Sequence, residues 1–451
     1  MTGAWEDPNV RNFIRRLKDE GFEHIRLSVN SRKTQFLSVQ CQKVKTYEYG
    51  SSRMYAAEAV WDGEYCCASV NSLEEDEEMI RRLKETAGIF GSREFPDKIR
   101  ESRDYRGQRW RTIEKEEIAE CLRYAEREAL SCEKTDFVER CEYQQYEETI
   151  ILLDEDLNYL ADDDGDCTFT IRVSARDGES VSAATKLAVV DIKEREEFLR
   201  TVQDLARRAA KHARFGLHGE KLLSGSYPIV LENCVMAELI GHFLPIFYAE
   251  NIRQNSSALT GKEKKQAGCR LLRIEEDPFS VKGTRRRRID DEGTPVSGKI
   301  LIREGIFEAS LYNKKSAAEA GCKSTGNGFK PDAAADIGTG VTNVILSSEK
   351  DVFAGKEMIR ASEGGVYITK VEGMFAGADT ESGDFSLLAS GNRIENGQVC
   401  TAVRQFTISG NICELWKDIE MIGDDPVYRM TGAACVVSPT VRVKSLMVSG
   451  E

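Results

Sequence analysis

The sequence predicts an α+β protein, with an N-terminal antiparallel sheet and long helices followed by a mostly β C-terminal domain. Two observations predict this class. Between residues 24 and 215, strand patterns of period two alternate with long, charged stretches of helical spacing. From about residue 296 to residue 450, short strand patterns are separated by Gly, Asn and Asp, and long helices become rare. Because 451 residues exceed what one core usually covers, we expect two domains.

The composition is typical of a soluble globular protein, with 41% hydrophobic and 31% charged residues. A net charge of −13 argues against binding to nucleic acids or anionic membranes, because both require a basic surface. No window approaches the roughly 18 apolar residues of a membrane-spanning helix, and the first residues lack a secretory pattern. The thirteen cysteines show no C-x-x-C spacing, so neither a zinc knuckle nor a thioredoxin-like motif is indicated. Their odd number and the lack of a secretory pattern favour reduced thiols. We therefore expect a cytoplasmic protein with no direct contact to nucleic acid or membrane.

The N-terminal region begins with a helix and an antiparallel meander. Residues 8–20 have helical spacing. Strand patterns follow at residues 24–29, 35–39, 54–60 and 65–70. Asp62-Gly63, between the last two of these strands, is a strong hairpin signal. Two charged stretches at 73–90 and 114–130 then predict helices.

A second β stretch has strand patterns at 149–153 and 168–173. The connection between them contains the acidic run 162–166, with four Asp and one Gly. Its spacing does not fit a calcium loop, because Leu160 would stand at the first ligand position and the glutamate of the twelfth is absent. We interpret the run as an acidic turn.

A long amphipathic helix is predicted from about Asp191 to Phe215, where Gly216 ends it. The turn-forming residues that follow, Leu223-Ser224-Gly225-Ser226-Tyr227-Pro228, mark the best domain boundary. We predict an N-terminal α+β domain at 1–222 and a β-rich domain at 223–451.

The C-terminal domain carries one conspicuous helix at 232–247, directly after a strand at 228–231. Further strands are predicted at 299–303, 365–371 and 399–409. Between them, the basic run 285–288 is followed at once by the acidic run 290–292, so the local charge is nearly cancelled. We interpret the basic run as a solvated hairpin or an intersubunit salt-bridge segment.

The helix at 232–247 contains Ala237-Glu238-Leu239-Ile240-Gly241-His242, which looks like a metal-hydrolase helix without its first ligand. Such a helix needs two imidazoles and a carboxylate beside the first. Positions 237 and 242 lie about 140° apart around an ideal helix, so they meet one metal only if the helix bends, as Gly241 would permit. The methyl group of Ala237 has no lone pair to donate.

Several motifs in a fixed order make the chain resemble the TldD/PmbA family, described as modulators of DNA gyrase and as metallopeptidases. The motifs are AELIGH at 237–242, DDEG at 290–293, KSTGN at 323–327, VEGM at 371–374, SGDFS at 382–386, IENG at 394–397, ISGN at 408–411, IGDD at 422–425 and MVSG at 447–450. None is diagnostic alone, but their order over residues 237–450 is hard to obtain by chance.

What the resemblance implies depends on the branch of the family. In the TldD branch, a His-Glu-x-x-x-His helix and a later cysteine are taken to hold zinc, and the glutamate is the general base on the metal-bound water. The PmbA (TldE) branch keeps the fold without the full motif, and resembles the non-catalytic half of a TldD–TldE heterodimer. Ala237 makes this chain similar to the PmbA branch. The resemblance implies no catalytic residue and no metal here, with Glu238 and His242 as remnants and zinc in a TldD-like partner.

The other histidines and several cysteines are candidate replacements for the missing ligand. His24 and His212 are interpreted as structural or surface histidines, and His218 lies near the domain junction. Cys234, near the start of the motif helix, is interpreted as a buried thiol. The active branch keeps its cysteine ligand in the C-terminal region, where this chain has Cys400, Cys413 and Cys435. None of these three has flanking residues that match that ligand.

The leading hypothesis is a PmbA/TldE-like subunit that pairs with a TldD-like zinc peptidase, or with a second copy, and helps to admit extended peptides. We expect strand addition to hold such peptides. In this hypothesis Glu238 makes a cap or an ion pair, and His242 bonds backbone groups. One alternative is an autonomous metal-dependent peptidase with a rearranged site around Glu238 and His242. Another is a non-proteolytic regulator linked to a gyrase toxin or microcin system.

Overall fold

The computed structural model describes residues 7–89, 96–107, 113–190, 195–280, 284–331, 335–432 and 434–450. It confirms the α+β class, because an antiparallel N-terminal sheet covered by helices precedes a mostly β region. None of the helices within these ranges is long and apolar enough to cross a membrane. The thirteen cysteines all lie in the described ranges and none forms a disulfide.

Seven strands form the N-terminal sheet. They are β1 (Glu23–Gln40), β2 (Lys43–Trp61), β3 (Glu64–Val70), β4 (Arg103–Asp104), β5 (Thr135–Asp154), β6 (Tyr159–Asp177) and β7 (Ser180–Val189). The order is β3-β2-β1-β5-β6, with β4 and β7 both pairing with β6. The strands predicted at 24–29 and 35–39 form one continuous strand, β1, and the hairpin at Asp62-Gly63 is confirmed.

Among the residues that the structure describes, four helices cover one face of this sheet: α1 (Pro8–Asp19), α2 (Asp76–Thr86), α3 (Lys115–Leu130) and α4 (Arg195–Phe215). A capping hydrogen bond starts α1, since the Asp7 side chain accepts from the Asn9 N–H at 2.9 Å. The apolar stripes of α1 and α2 pack on one half of the sheet, and those of α3 and α4 on the other. All four helices confirm predictions, although residues 191–194, where α4 was expected to begin, lie outside the described residues.

The prediction of an acidic turn at 162–166 is wrong, because these residues lie within β6. Strand alternation places Asp162, Asp164 and Asp166 on the face of the sheet opposite the helices, where all three are buried. Arg285 and Arg287 of the C-terminal region reach two of these aspartates. Strand β6 can therefore hold buried carboxylates because arginines more than 100 residues away in the chain form ion pairs with two of them.

The remaining strands form two larger sheets and one small pair. They are β8 (Gly225–Leu231), β9 (Leu272–Glu276), β10 (Lys299–Arg303), β11 (Ile306–Phe307), β12 (Gly328–Phe329), β13 (Gly338–Thr339), β14 (Asn343–Ser348), β15 (Val366–Glu372), β16 (Asp384–Glu395), β17 (Gln398–Asn411), β18 (Ile419–Ile422), β19 (Val427–Thr431), β20 (Ala434–Ser438) and β21 (Val441–Ser449). One sheet has the order β11-β10-β9-β14-β20-β19. In the other sheet, five strands close into a ring in the order β17-β16-β15-β8-β21, because β17 also pairs with β21. Strand β18 pairs with β21 as well.

Six helices lie in the described part of this region. They are α5 (Asn233–Phe243), α6 (Ala249–Arg253), α7 (Lys314–Ala320), α8 (Gly355–Arg360), α9 (Met374–Gly377) and α10 (Ile412–Lys417). A 3-10 turn, Leu244–Phe247, continues α5, which confirms the helix predicted at 232–247. Helix α5 lies between the closed ring and the strands β19 and β20, and its buried side chains join one core with both. The predicted boundary between residues 222 and 223 stays a prediction.

The prediction of a solvated or intersubunit segment at 285–288 is also wrong. The Arg287 side chain is 2% exposed and that of Arg285 is 14% exposed. Both form ion pairs within the chain, while Arg288 alone of the four is exposed and lies over the Phe279 ring. The segment therefore joins the C-terminal region to the N-terminal sheet.

Candidate functional site

The motif residues lie on α5, whose surroundings explain its nearly apolar sequence. The helix is buried on most of its circumference, and its Asn233 side chain donates to the backbone carbonyl and the carboxylate of Asp425 at 2.9 and 3.1 Å. Gly241 faces β19 so closely that an added Cβ would stand 2.2 Å from the Thr431 hydroxyl. The glycine thus permits close packing of the helix on the strand.

Ala237 points into the apolar core and has no exposed surface. His242 is half-buried on another side of the helix, as the spacing of five residues requires. Its Nε2 lies 3.4 Å from the carbonyl oxygen of Ala378, and its ring makes edge contacts with Phe243 and Phe375. The helix is regular over Asn233–Phe243, so positions 237 and 242 do not converge on one point.

Glu238 forms an ion pair with Arg429 of β19. Both side chains are about three-quarters buried. Burial raises the pKa of the Glu238 carboxyl, and the guanidinium of Arg429 opposes that rise. The guanidinium occupies lone pairs of the carboxylate, so Glu238 is not free to act as a general base. Sequence reasoning missed Arg429, which lies 191 residues from Glu238 and belongs to no recognised motif.

A second polar cluster lies at the N-terminus of α5. Glu232 accepts from the Lys186 ammonium of β7 at 2.8 and 2.9 Å, and the Cys234 thiol lies 3.1 Å from the same carboxylate. His212 of α4 places its Nε2 3.5 Å from Glu232. Burial lowers the pKa of His212 to about 4, so this imidazole is neutral at pH 7. The cluster joins α4 and β7 of the N-terminal region to the helix that carries the motif.

Cys234 is half-buried and lines a cleft, so it is less buried than the sequence suggested. Burial, together with the neighbouring Glu232 carboxylate, raises its pKa to about 12. The thiol therefore stays protonated near pH 7, and neither nucleophilic attack nor metal ligation is favoured.

The other candidate ligands are scattered. His24 is exposed on β1, and His218 is exposed with its Nε2 2.9 Å from Asp177. Cys413 and Cys435 are buried, and burial raises the pKa of both thiols. Cys400 is exposed on β17. Across the described ranges, no group of three His, Cys, Asp or Glu side chains is placed to hold a metal. The donor set around Glu238 and His242 does not fit zinc, which requires at least three protein ligands.

Two clefts flank this region where the N-terminal sheet faces the C-terminal region. The smaller, of ≈ 280 Å³, is lined by Lys186 and Leu187 of β7, by Cys234, and by Tyr428 and Arg429 of β19. The larger, which we call the sheet groove, has ≈ 580 Å³ and also includes Leu187. The two clefts therefore adjoin at β7 and β19, next to the Glu238–Arg429 pair.

The sheet groove is walled on one side by strands of the N-terminal sheet and on the other by the segment that follows residue 284. Arg285 places its Nε 2.8 Å from the Asp164 carboxylate. Arg287 lies 2.8 Å from Asp291 and 3.6 Å from Asp162. These contacts fix the two walls relative to each other.

Comparison with known proteins assigns the class. A sequence profile described as the PmbA/TldA metallopeptidase C-terminal domain matches residues 224–450, which is half of the chain. The chain belongs to the PmbA/TldD metallopeptidase family.

Individual relatives agree with this assignment. The metalloprotease PmbA of Escherichia coli O157:H7 is 28% identical over 222 residues, which cover 49% of this chain and 45% of that protein. A metalloprotease TldD homologue of Buchnera aphidicola (Acyrthosiphon pisum) is 30% identical over 225 residues, 49% of this chain and 45% of that protein. The chain thus aligns with about half the length of these curated relatives. PmbA and TldD relatives match at similar identity, so similarity alone does not assign the branch.

Solved structures share the fold over nearly the whole chain. A proposed modulator of a DNA gyrase from Thermotoga maritima superimposes with a TM-score of 0.85 at 24% identity, covering 98% of this chain and 99% of that one. TldE from Thermococcus kodakarensis superimposes with a TM-score of 0.86 at 19% identity, covering 98% and 100%. At these identities the likeness establishes the fold and no more.

Proposed function

We propose that this chain is a PmbA/TldE-like subunit of a TldD–TldE-type zinc metallopeptidase that processes unfolded or extended peptides, and that it is itself non-catalytic. The observation that carries the proposal is the ion pair between Glu238 and Arg429. It occupies the carboxylate that a peptidase would need as a base, on a helix where Ala237 replaces the first ligand. The zinc and the base would come from a TldD-like partner in a heterodimer, in the cytoplasm.

In this role the chain's own residues bind and position rather than react. The core packing of α5 keeps the helix in place without a metal, and the adjoining clefts offer surface for a peptide beside it. A homodimer remains the other assembly to be tested, because family membership does not specify which subunits pair.

The direct test is the metal content and peptidase activity of the purified full chain. After equilibration with zinc and removal of the excess, we expect far less than one zinc per chain and no cleavage of an unfolded protein substrate. Mixing with a TldD-like subunit that has an intact His-Glu-x-x-x-His helix should produce cleavage. A Glu→Gln change in that helix of the partner should abolish it. Near-stoichiometric zinc with peptidase activity in the isolated chain would overturn the proposal.

The two alternatives give different outcomes in the same experiment. An autonomous peptidase with a rearranged site would lose both metal and activity when His242 is replaced by alanine. A non-proteolytic regulator would co-purify with a partner that is not a protease, and adding it to a TldD-like subunit would not change cleavage.

A further inference from the structure

The carboxylates of the sheet groove are not all matched by cations of the chain. Strand alternation on β6 aims Asp162, Asp164 and Asp166 at the same side, and cross-strand pairing sets Tyr146 of β5 opposite Asp166. Asp162 and Asp164 meet the guanidinium groups of the C-terminal wall. Asp166 is left over at the end of this row.

Asp166 is 7% exposed and lines the groove, yet no described residue donates a hydrogen bond to it or forms an ion pair with it. Arg285 and Arg32 act on it only through space, without contact. Burial raises the pKa of Asp166 to about 6, as expected for a carboxylate whose burial is incompletely offset. Burial of an ionisable group without a partner is costly, so such a group points to a ligand that supplies the partner.

A second carboxylate stands beside it. Glu148 of β5 also lines the groove, and burial raises its pKa. Its one hydrogen bond within the described ranges comes from the Asn30 amide at a long 3.4 Å. Glu148 pairs across the strands with Asp164, one step from Asp166 on the same face. The two unpaired carboxylates are therefore diagonal neighbours, which reach one side chain placed between them.

The side chains that line the groove carry charges of both signs. The cations are Arg32, Arg53, Arg285, Arg287 and Lys330, and the carboxylates are Glu148, Asp166 and Asp291. Arg285, Arg287 and Lys330 are already engaged by carboxylates, and the side chains of Arg32 and Arg53 are exposed to solvent. The preference for a cationic group therefore rests on Asp166 and Glu148, which form no ion pair within the described residues, and not on the total charge of the groove.

The shape of the groove selects an elongated ligand. Its lining comes from five adjacent strands in the order β2, β1, β5, β6 and β7, which span about 19 Å at the usual strand spacing. An extended peptide covers that length with about six residues. A volume of ≈ 580 Å³ is in the range of ligand-binding clefts. Because the groove crosses the strands, a peptide in it would be held by side-chain contacts and not by strand addition.

We propose that the sheet groove binds an extended peptide across the strands, and that Asp166 and Glu148 hold a lysine or arginine side chain of that peptide. The inference rests on the proposed function for the peptide and adds to it a preference for basic residues. It also places the peptide at β7 and β19, from which the smaller cleft leads to Arg429.

The experiment measures binding to the isolated full chain by fluorescence anisotropy. The probe is a labelled, end-blocked peptide of about eight residues with one central lysine in a Gly/Ser/Val background. Matched probes carry acetyl-lysine or glutamate at that position. We expect the lysine peptide to bind at least about tenfold more tightly than either. Replacing Asp166 by Asn, or Glu148 by Gln, should remove about that factor, because each change deletes a charge and keeps the shape.

Asp163→Asn is the matched control. Asp163 neighbours Asp166 on the same strand but points to the opposite side, where it accepts from Thr149 at 3.1 Å. This variant should bind the lysine peptide as the unaltered chain does. Spermidine and Mg²⁺, tested as competitors, should displace the peptide only weakly. Equal binding of all three peptides, or equal loss in D163N and D166N, would overturn the inference. Full displacement by spermidine or Mg²⁺ at peptide-like concentrations would also overturn it, in favour of a free-cation site.

The binding assay uses neither zinc nor a partner subunit. Failure of the lysine peptide to bind therefore removes the groove proposal and leaves the non-catalytic role to be decided by the metal and mixing experiments. Conversely, zinc-dependent activity in the isolated chain would overturn the proposed role without changing the outcome at Asp166.

Discussion

Two regions of the molecule hold carboxylates against arginines, and they do so at different depths. At the motif helix, one glutamate meets one arginine, and each side chain keeps about a quarter of its surface exposed. At the sheet groove, Arg287 is 2% exposed and contacts Asp162 and Asp291, both nearly buried. The Glu238–Arg429 pair occupies a carboxylate that could otherwise act in catalysis, and it contributes little to stability. The buried ion pairs of Arg287 instead fix how the N-terminal sheet meets the C-terminal region.

The largest effect is expected at Arg287. Its replacement by Met leaves two buried carboxylates without their cation, so we expect a loss of about 3–5 kcal/mol in the free energy of unfolding. Chemical denaturation measures it. Arg288→Met is the matched control, since that exposed side chain should change stability by no more than about 0.5 kcal/mol. A loss at Arg287 as small as the control would abolish the contrast between the two regions.

His212 should make stability fall in acid. Burial lowers its folded-state pKa from 6.5 to about 4, so above pH 6.5 both states are neutral and it contributes no pH dependence. As the pH falls, the unfolded chain takes up a proton first, and stability is lost down to about pH 4. The loss is at most about 3 kcal/mol. Denaturation curves of the unaltered chain and His212→Gln should diverge over this window. Parallel pH profiles would contradict the assignment.

Gly241→Ala tests how tightly the motif helix packs on β19. The new methyl group would stand 2.2 Å from the Thr431 hydroxyl, so the strand or the helix must move. We expect a destabilisation of about 1–3 kcal/mol from overpacking, reduced by up to about 1 kcal/mol of helix propensity. Gly355→Ala, where the added methyl meets nothing within 4 Å, is the control. A more stable G241A variant would show that the helix has room to move.

The smallest effect is expected at the Glu238–Arg429 pair itself. A double-mutant cycle with Arg429→Gln and Glu238→Gln should give a coupling of no more than about 1 kcal/mol, because both side chains are partly exposed. Neither variant should gain stoichiometric zinc. A coupling energy as large as the loss expected at Arg287 would show that the two regions do not differ in the strength of their ion pairs.

The sequence predicted most of the architecture because local patterns carry it. Helices with apolar stripes, the hairpin at Asp62-Gly63 and the helix at 232–247 all appear where periodicity placed them. Local composition failed where distant residues decide the outcome. The run 162–166 is rich in turn-forming residues, but Arg285 and Arg287 stabilise it as a buried strand.

The candidate site, too, could be predicted only as far as local sequence patterns reach. Motif spacing located Ala237, Glu238 and His242, since all three lie on one helix. No local signal points to Arg429 or Lys186, because ion-pair partners that meet across sheets leave no spacing in the chain. His212, set at the edge of an apolar stripe, was visible in the sequence, but its contact with Glu232 was not.

The closed ring of strands limits how easily the motif helix α5 becomes exposed to solvent. With β17 bonded to both β16 and β21, none of the five ring strands can peel away singly, so uncovering the ring side of α5 requires many backbone hydrogen bonds to break together. The other side of α5 packs on β19 and β20, and β19 is an edge strand of its sheet. Amide protons on the ring side of α5 should therefore exchange with solvent more slowly than those that face β19. Alanine at position 237 can therefore remove a metal ligand from α5 without changing how often the helix is exposed to solvent.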